Sequence, residues 1–433
     1  MTKRWMYAAA SFLFFTATWA TAPFETYTWE TKKGVHVIFY PAMEVPMLDL
    51  SIAFAAGSAY DQDAFGLSTL TTRLLNQGSN GLNANIIAER LAQTGAQYGG
   101  GSAQDMAVLS LKTLVRPDAL QQAIETFSSI LTHPDFPQEA FEHEKNQQLM
   151  AISETEESPE AIANQTFFQV LYKTHPYGHP IIGDRNHLDR ITNKQVRDFY
   201  NQYFVSQNAI LVMVGAIDKA TAHRLSERVT EDLPKGVAAK PIPIAEPLTE
   251  AMDIEVHFPS KQTLLRLGQL GVVHQDKDYF PLMVGNYILG GGMDSRLSLE
   301  LREKRGLTYG VSSQFVPLTG KGPFLISFST KNSQAKMAID STRKQLLSFI
   351  TLGPNAHELT AAKQYLMGSF PISLSSNRNI ADVLLKMSFY HLPEDYLKTY
   401  LSKINAVSIQ DIKNAFQHLI NPNKLLQVSV GKR

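Results

Sequence analysis

An internal repeat is the feature of this 433-residue sequence that most constrains its fold. Residues 192–204 and 209–215 have counterparts in residues 408–420 and 425–431, and the offset is 216 residues throughout, with no gap. Each copy reads as a capped helix with apolar residues at helical spacing, followed by a buried strand that ends at glycine. The sequence therefore predicts two homologous halves.

A second match extends the repeat towards the beginning of each half. Residues 63–67 and 278–282 both begin with Asp, end with Leu and open an apolar helix, at an offset of 215 residues. Two α/β stretches can look alike by chance, but a nearly constant offset over about 150 residues favours a true repeat.

The repeat divides the chain into lobes of about 200 residues, a common domain size. We place a first lobe at residues 23–233, a linker at 234–250 and a second lobe at 251–433. The linker contains four prolines, which exclude a helix and favour an extended connection: Pro234, Pro241, Pro243 and Pro247. Strand and helix signals alternate within each lobe, which indicates an α+β fold with one sheet covered by helices.

The first twenty residues have the layout of a secretory signal peptide. Lys3 and Arg4 are basic, residues 6–17 are apolar, and small residues follow at Ala20 and Ala22. The apolar run is shorter than the roughly 18 residues needed to span a bilayer, which disfavours a membrane anchor. We therefore expect residues 1–20 to be removed and the protein to be exported, with the periplasm as its compartment.

Charge and cysteine content narrow the classes of function. The chain has 40 Lys and Arg residues against 40 Asp and Glu residues, so no overall positive charge favours nucleic acid. It has no cysteine, which excludes thiol nucleophiles, disulfides and cysteine-bound metal centres. A metal ion could be bound only by His, Asp, Glu or carbonyl oxygen.

Motifs for such a metal site are weak. His175 and His179 are four residues apart, but the intervening and flanking prolines and glycine prevent a shared helical face, so a loop role is favoured. Glu139 and His143 have helical spacing, although pairs of this kind are common on solvated helix faces.

A helix-to-strand corner in the second lobe carries the other candidate residues. Asp294 is a good N-cap for a helix over 295–305, Gly306 suits its end, and a strand begins nearby. Arg302 and Tyr309 flank this corner and could converge on one point. Spacing alone favours the simpler interpretation, in which Arg302 is a capping cation at the end of the helix and Tyr309 is a core aromatic.

At these residues the chain resembles the pitrilysin and mitochondrial processing peptidase family of insulinase-type zinc peptidases. Residues 289–309 are similar to the family's second-lobe signature, and residues 175–183, His-Pro-Tyr-Gly-His-Pro-Ile-Ile-Gly, to its first-lobe loop. Residues 65–78 take the place of its metal helix, and residues 57–61 precede it as the family's turn does. The resemblance implies two lobes, each a mostly antiparallel sheet covered by helices, as in LuxS and the processing peptidases.

The metal helix departs from the family pattern. Active members carry H-x-x-E-H there, with two His ligands and a Glu base, but this chain has Thr69, Thr72 and Arg73. Residues 149–151, near the expected third ligand, include no acid. The resemblance therefore implies no zinc and no other cofactor in this chain, because a threonine is a poor ligand and an arginine repels a cation.

The second-lobe pair is retained. In active relatives an Arg, and a Tyr seven residues later, hold the substrate near the scissile carbonyl, and Arg302 and Tyr309 match this spacing. The resemblance implies the zinc-free subunit of a heterodimeric peptidase, paired with a homologous zinc-binding subunit. Arg302 and Tyr309 would then contact the peptide substrate and its developing oxyanion in trans.

Two alternatives remain open at this stage. One is a non-enzymatic scaffold or peptide-binding protein that kept the peptidase fold. The other is an independent metallopeptidase with relocated ligands, such as Glu139 and His143.

Overall fold

The computed structural model describes residues 25–431, so the signal peptide expected at residues 1–20 lies outside the described residues. The described strands are β1 (Tyr27–Glu30), β2 (His36–Pro41), β3 (Met47–Phe54), β4 (Gly78–Ser79), β5 (Leu82–Asn83), β6 (Gln97–Ser102), β7 (Ala107–Leu114), β8 (Ala209–Gly215), β9 (Met252–His257), β10 (Gln262–Leu270), β11 (Val311–Phe315), β12 (Pro323–Lys331) and β13 (Leu426–Gly431).

The α-helices in the same part of the chain are α1 (Leu67–Leu74), α2 (Ala84–Gln93), α3 (Pro117–Thr132), α4 (Gln138–Glu156), α5 (Pro159–Tyr172), α6 (Arg185–Leu188), α7 (Asn193–Tyr203), α8 (Lys219–Thr230), α9 (Tyr279–Asn286), α10 (Ala335–Leu352), α11 (Ala356–Ser373), α12 (Asn377–Phe389), α13 (Tyr396–Ala406) and α14 (Ile409–Leu419). None of these helices is both long and apolar enough to cross a bilayer.

The two main sheets repeat one topology. The first has the order β1-β2-β8-β3-β7-β6 and the second, read from its far edge, the order β9-β13-β10-β12-β11. In each sheet one pair is parallel, β2 with β8 and β9 with β13, and the other pairs are antiparallel. The mostly antiparallel α+β fold is confirmed, and the first sheet differs by the extra edge strand β1.

The repeated helices have the same local chemistry. Thr192 caps α7 in a reciprocal capping box with Gln195, and Ser408 caps α14 in the same way with Asp411. Helix α7 packs on α1, and α14 packs on α9. The sequence repeat is therefore also a repeat of tertiary packing.

Each half of the chain donates a helix to the sheet of the other half. Helix α5 precedes the linker, yet its Phe167 and Leu171 belong to a buried cluster with Leu426 and Val428 of the second sheet. Arg266 of β10, which is also buried, reaches α5, where its Nε donates to Asn164 Oδ1 at 2.7 Å.

The reciprocal contact uses α12 from the second half. Its Ile380, Leu384 and Leu385 form a buried cluster with Val212 and Val214 of β8 in the first sheet. Because apolar burial is the main stabilising term in folding, this exchange makes the two halves mutually dependent.

The segment between the halves is bound to both of them. Residues 234–250 contain no helix or strand, but Ile242 and Leu248 are buried in the α5 cluster. His175 Nε2 lies 2.8 Å from the carbonyl oxygen of Pro243. The proline-rich stretch is thus a packed strap.

A buried carboxylate adds a polar connection between the halves. Asp105, in the β6–β7 turn, accepts hydrogen bonds from the hydroxyls of Tyr177 and Tyr390 and from the Thr319 amide. The Tyr177 hydroxyl also accepts from the Gly320 amide at 3.0 Å. Burial and the nearby charge of Asp105 raise the pKa of both tyrosines, so their hydroxyls keep their protons and remain donors.

Candidate functional site

Helix α1 carries the three positions that correspond to the family's metal site. Its start is fixed by the buried Asp61, whose two carboxylate oxygens accept from the Gly66 and Ser68 amides, each at 2.7 Å. Such contacts satisfy amides that have no partner inside the helix. Thr69, Thr72 and Arg73 therefore lie on a firmly anchored helix.

The first-lobe loop, residues 175–183, packs directly against this helix. Gly183 has φ +76°, and a Cβ there would lie 2.2 Å from the Phe65 carbonyl oxygen, so only glycine fits. Thr69 Oγ1 donates to the Ile181 carbonyl at 2.8 Å, and Gln148 Nε2 donates to the carbonyls of Gly66 and Ile182. The stretches that resemble the family's metal helix and loop meet in the structure.

The histidines of this loop have structural partners. His175 Nδ1 accepts from the Tyr177 amide at 3.1 Å, and the His179 ring stacks on Phe65 at 4.2 Å between centroids. Phe65 also contacts His187. Burial lowers the pKa of His175 and of His179. Residues 175–183 contain no α-helix, which agrees with the loop role expected from the sequence.

An ion pair stands where active relatives bind metal. Arg73 Nε donates to Glu144 Oε2 at 2.8 Å, which links α1 to α4. Thr72 is buried, and its hydroxyl donates to the Ser68 carbonyl of the preceding turn. Both threonine hydroxyls and the arginine are thus engaged with protein groups.

Sequence reasoning missed Glu144 and Gln148, the residues of α4 that face α1. The search for a third ligand considered residues 149–151, but α4 turns Glu144 and Gln148 inwards, where both are buried. Helical spacing does provide a signal, because Phe141, Glu144, Gln148 and Ile152 recur every three or four residues.

The residues at this place do not fit a zinc ion. Glu144, the carboxylate that α4 turns towards α1, is held by the Arg73 cation, and Thr69 and Thr72 are neutral. Within residues 25–431 no three His, Asp or Glu side chains cluster closely enough to hold a metal ion. Glu139 and His143 are both exposed on α4.

The second-lobe corner places Arg302 and Tyr309 on either side of one tight turn. The helix over residues 295–305 begins at Arg296, and it widens to a π-helical stretch at Ser298–Lys304. The Leu307 amide then donates to the Leu301 carbonyl at 2.8 Å. This bond closes the turn. Both leucines are also buried, so their side chains hold the turn in place.

The two candidate side chains at this corner point into solvent. Tyr309 is 89% exposed, so the reading of it as a core aromatic is wrong. Arg302 is partly exposed, and its Nε lies 3.3 Å from Oε1 of the neighbouring Glu303. Thr330 Oγ1 donates to the Leu307 carbonyl at 2.6 Å, which ties the turn to the sheet. An exposed guanidinium and phenol on a fixed turn can both donate hydrogen bonds to an external carbonyl.

Each set of candidate residues lies near an edge strand. Tyr309 is two residues before β11, the edge of the second sheet, and α1 packs against β6, the corresponding edge of the first. Ser68 Oγ lies 2.5 Å from Ser102 Oγ at the end of β6. The two sets belong to different lobes and are not brought together as one site.

Comparison with known proteins gives two family matches. Residues 44–185 match the family model described as "Insulinase (Peptidase family M16)". Residues 190–366 match the one described as "Peptidase M16 inactive domain".

A solved structure and two curated proteins are similar over most of their length. The crystal structure of a peptidase M16 inactive domain from Pseudomonas fluorescens is 35% identical, with a TM-score of 0.91, and the match covers 94% of this chain and 98% of that one. The "Uncharacterized zinc protease YmxG" of Bacillus subtilis is 23% identical, covering 91% of this chain and 96% of the relative. The "Non-peptidase homolog YmxG" of Helicobacter pylori is 24% identical, covering 88% of each.

These matches agree with the geometry of the site. The fold has the two-lobed topology, and the positions of the metal helix hold threonines and an ion-paired arginine. The chain belongs to peptidase family M16, the insulinase family.

Proposed function

We propose that this chain is the zinc-free subunit of an exported heterodimeric zinc peptidase. It supplies half of a peptide-binding chamber, and a homologous subunit with H-x-x-E-H supplies the zinc. Arg302 and Tyr309 contact the substrate carbonyl in trans. The observation that carries the proposal is the contrast between a metal helix closed by the Arg73–Glu144 ion pair and an Arg302–Tyr309 corner that is open to solvent.

The exposure of Tyr309 supports a role outside this chain. A tyrosine with 89% of its surface exposed contributes little to the folding of its own lobe. Its backbone position is nevertheless fixed by buried neighbours, Leu307 and Thr308. A rigid turn that presents a phenol to solvent is suited to contact a partner or a substrate, because little backbone entropy is lost on binding.

The edge strand β11 supports binding of an extended peptide. Its outer edge has no strand beside it in the described part of the sheet, and Tyr309 lies just before it. A peptide added to this edge by main-chain hydrogen bonds would run past the Arg302–Tyr309 corner. Donors placed there would stabilise negative charge on a carbonyl oxygen during peptide hydrolysis.

Export is part of the proposal and is supported by the sequence of residues 1–20 alone. Fractionation of cells that express the full-length chain tests it. The proposal expects a shortened periplasmic form, with a new amino terminus close to residue 21.

Mixing this chain with a homologous H-x-x-E-H subunit tests the trans role. Arg302→Ala or Tyr309→Phe should lower kcat/KM of the mixture by roughly 100-fold, in line with loss of one oxyanion donor. Arg224→Ala and Tyr365→Phe are matched controls, because these exposed side chains lie outside residues 295–309, and they should leave the rate unchanged.

Three results would reject the proposal. Wild-type rates from both corner variants, in a mixture whose assembly is verified by gel filtration, would remove the trans role. A chain that assembles only with a partner that is not a peptidase would favour the scaffold alternative. Stoichiometric zinc in the purified chain would instead favour relocated ligands.

A further inference from the structure

The second sheet has an open edge at a position that the first sheet fills. In the first sheet β1 pairs antiparallel with β2. The equivalent strand of the second sheet is β9, and no strand pairs with its outer side within residues 25–431. The segment that precedes β9, residues 234–250, is the packed strap and contains no strand.

The first lobe shows how an added strand is held at this position. Tyr27 and Trp29 of β1 turn towards α8, where Trp29 Nε1 donates to Ser226 Oγ at 3.1 Å. The Trp29 ring stacks on His223, and the Lys219 ammonium lies 4.6 Å from the Tyr27 ring centroid. Strand β1 is therefore fixed by main-chain pairing and by side chains on one face.

A groove lies beside the open edge of β9. It has a volume of about 1020 Å³ and lies between β9, the end of β13 and helix α10. Residues of all three elements line it, among them Asp253, Glu255, His257, Lys336, Asp340 and Arg343. We call this the β9 groove. Arg343 Nη2 lies 3.3 Å from Asp253 Oδ1, and Lys336 Nζ lies 3.1 Å from Asp340 Oδ2.

The repeat fixes which β9 residues an added strand would face. His36 of β2 pairs with Ile210, and Met252 of β9 pairs with Leu426. Both members of the second pair lie 216 residues after their counterparts in the first. Every residue of β2 thus has its β9 counterpart 216 positions later.

The residues at the edge of the second sheet differ in chemistry from their counterparts in the first sheet. Tyr27 and Trp29 lie opposite the buried Phe39 and Val37, whose counterparts in β9 are the exposed Glu255 and Asp253. The residue between them, Ile254, is apolar and half-buried, as Met252 and Val256 also are. An apolar aromatic strand suits the first edge, whereas the second edge alternates acidic and apolar positions.

We propose that the β9 groove binds an extended polypeptide segment that alternates basic and apolar side chains and adds to the second sheet as an antiparallel strand. Its basic residues lie opposite Asp253 and Glu255, and an apolar or β-branched residue lies opposite Ile254. Opposite charges on directly paired residues stabilise a sheet, and like charges destabilise it. This site is at the far edge of the sheet from β11, so it does not depend on the proposed peptidase role.

A pair of blocked hexapeptides tests the charge preference. One has the sequence Thr-Lys-Val-Lys-Thr-Gly, and the other has Glu in place of both Lys. Fluorescence anisotropy with the full chain should show the basic peptide binding roughly tenfold more tightly, from the two cross-strand pairs. Hydrogen exchange should show new protection at residues 252–257.

Charge variants locate the effect. Asp253→Lys with Glu255→Lys should reverse the preference, and the milder Asp253→Asn with Glu255→Gln should abolish it while retaining the fold. The matched control is Glu139→Lys with Glu142→Lys, which changes the net charge equally on exposed positions of α4, and it should leave the preference intact.

Three results would overturn the proposal. They are equal binding of the two peptides, an absence of new protection in β9, and a reversal produced equally by the α4 control.

Discussion

Arg73 donates from Nε to Glu144 Oε2 at 2.8 Å, so an ion pair joins the helices α1 and α4 that carry the metal ligands in active relatives. The cross-link that a metal supplies in those proteins is here a contact between two side chains. Because 39% of the Arg73 side chain and 11% of the Glu144 side chain are exposed, solvent screens this pair only in part.

Removing Glu144 should therefore destabilise the protein measurably. We expect Glu144→Ala to lower the free energy of unfolding by about 1 to 2 kcal/mol, because it leaves the Arg73 cation without its acceptor. Urea denaturation of Glu144→Ala, of Arg73→Ala and of the double variant gives the coupling energy between the two side chains. The exposed pair Arg116 and Asp118 is the control, and its coupling should be too small to measure, because solvent screens both side chains. Equal couplings would contradict the special role of the Arg73–Glu144 pair.

Asp105 should be important for the association of the two halves. Asp105→Ala leaves the Tyr177 and Tyr390 hydroxyls and the Thr319 amide without an acceptor. We expect a loss of about 3 kcal/mol in the free energy of unfolding. Hydrogen exchange should also become faster at residues 319–320 and 388–391. Asp63→Ala, at an exposed acid, should change neither quantity.

Stability should fall in acid because of His274. Burial and the charge of Lys386 lower the pKa of His274 to about 4. A hydrogen bond with the Pro317 backbone raises this pKa, but its effect is smaller. Between pH 6.5 and pH 4 the unfolded chain binds a proton that the folded chain does not, so stability is lost as the pH falls through this range. His274→Gln should flatten the dependence of Tm on pH over this window.

An exposed histidine provides the comparison for that measurement. His143 lies on the solvent side of α4, and His143→Gln should give a curve parallel to that of the wild type. A His274→Gln curve that is also parallel would show that this ring does not contribute.

The exchange of helices predicts that neither half folds alone. Residues 25–233 lack α12, and residues 251–431 lack α5, so each fragment would expose an apolar sheet face. Each fragment alone should bind a hydrophobic dye and lack a cooperative melting transition, and coexpression should restore a folded complex. A cooperative transition in either isolated fragment would refute this.

A point substitution tests the same exchange in the intact chain. Leu384→Ala on α12 should cost about 2 to 4 kcal/mol, because a buried leucine is lost from the first sheet's cluster. Leu352→Ala, at a leucine that is 69% exposed, should change stability by less than about 0.5 kcal/mol.

Local signals account for the parts of the structure that the sequence predicted well. Helix α2 (Ala84–Gln93) has such signals, because Asn83 caps it and its apolar residues have helical spacing. The helix over 295–305 was less well predicted, since its cap is shifted by one residue and it widens to a π-helical stretch. The widened stretch packs against β11 and α10, which lie outside the local sequence.

The amino-acid sequence by itself determined the duplication, the mixed sheet-and-helix architecture and the loss of the metal ligands at Thr69, Thr72 and Arg73. These can be read from the identities of the residues and from their spacing along the chain, without knowing which elements pack together. Only the tertiary structure decided that α5 and α12 cross to the opposite sheets, that Glu144 pairs with Arg73, and that the β9 edge is open. The spacing of apolar residues shows which face of an element is buried, but the partner of that face lies far away in the sequence.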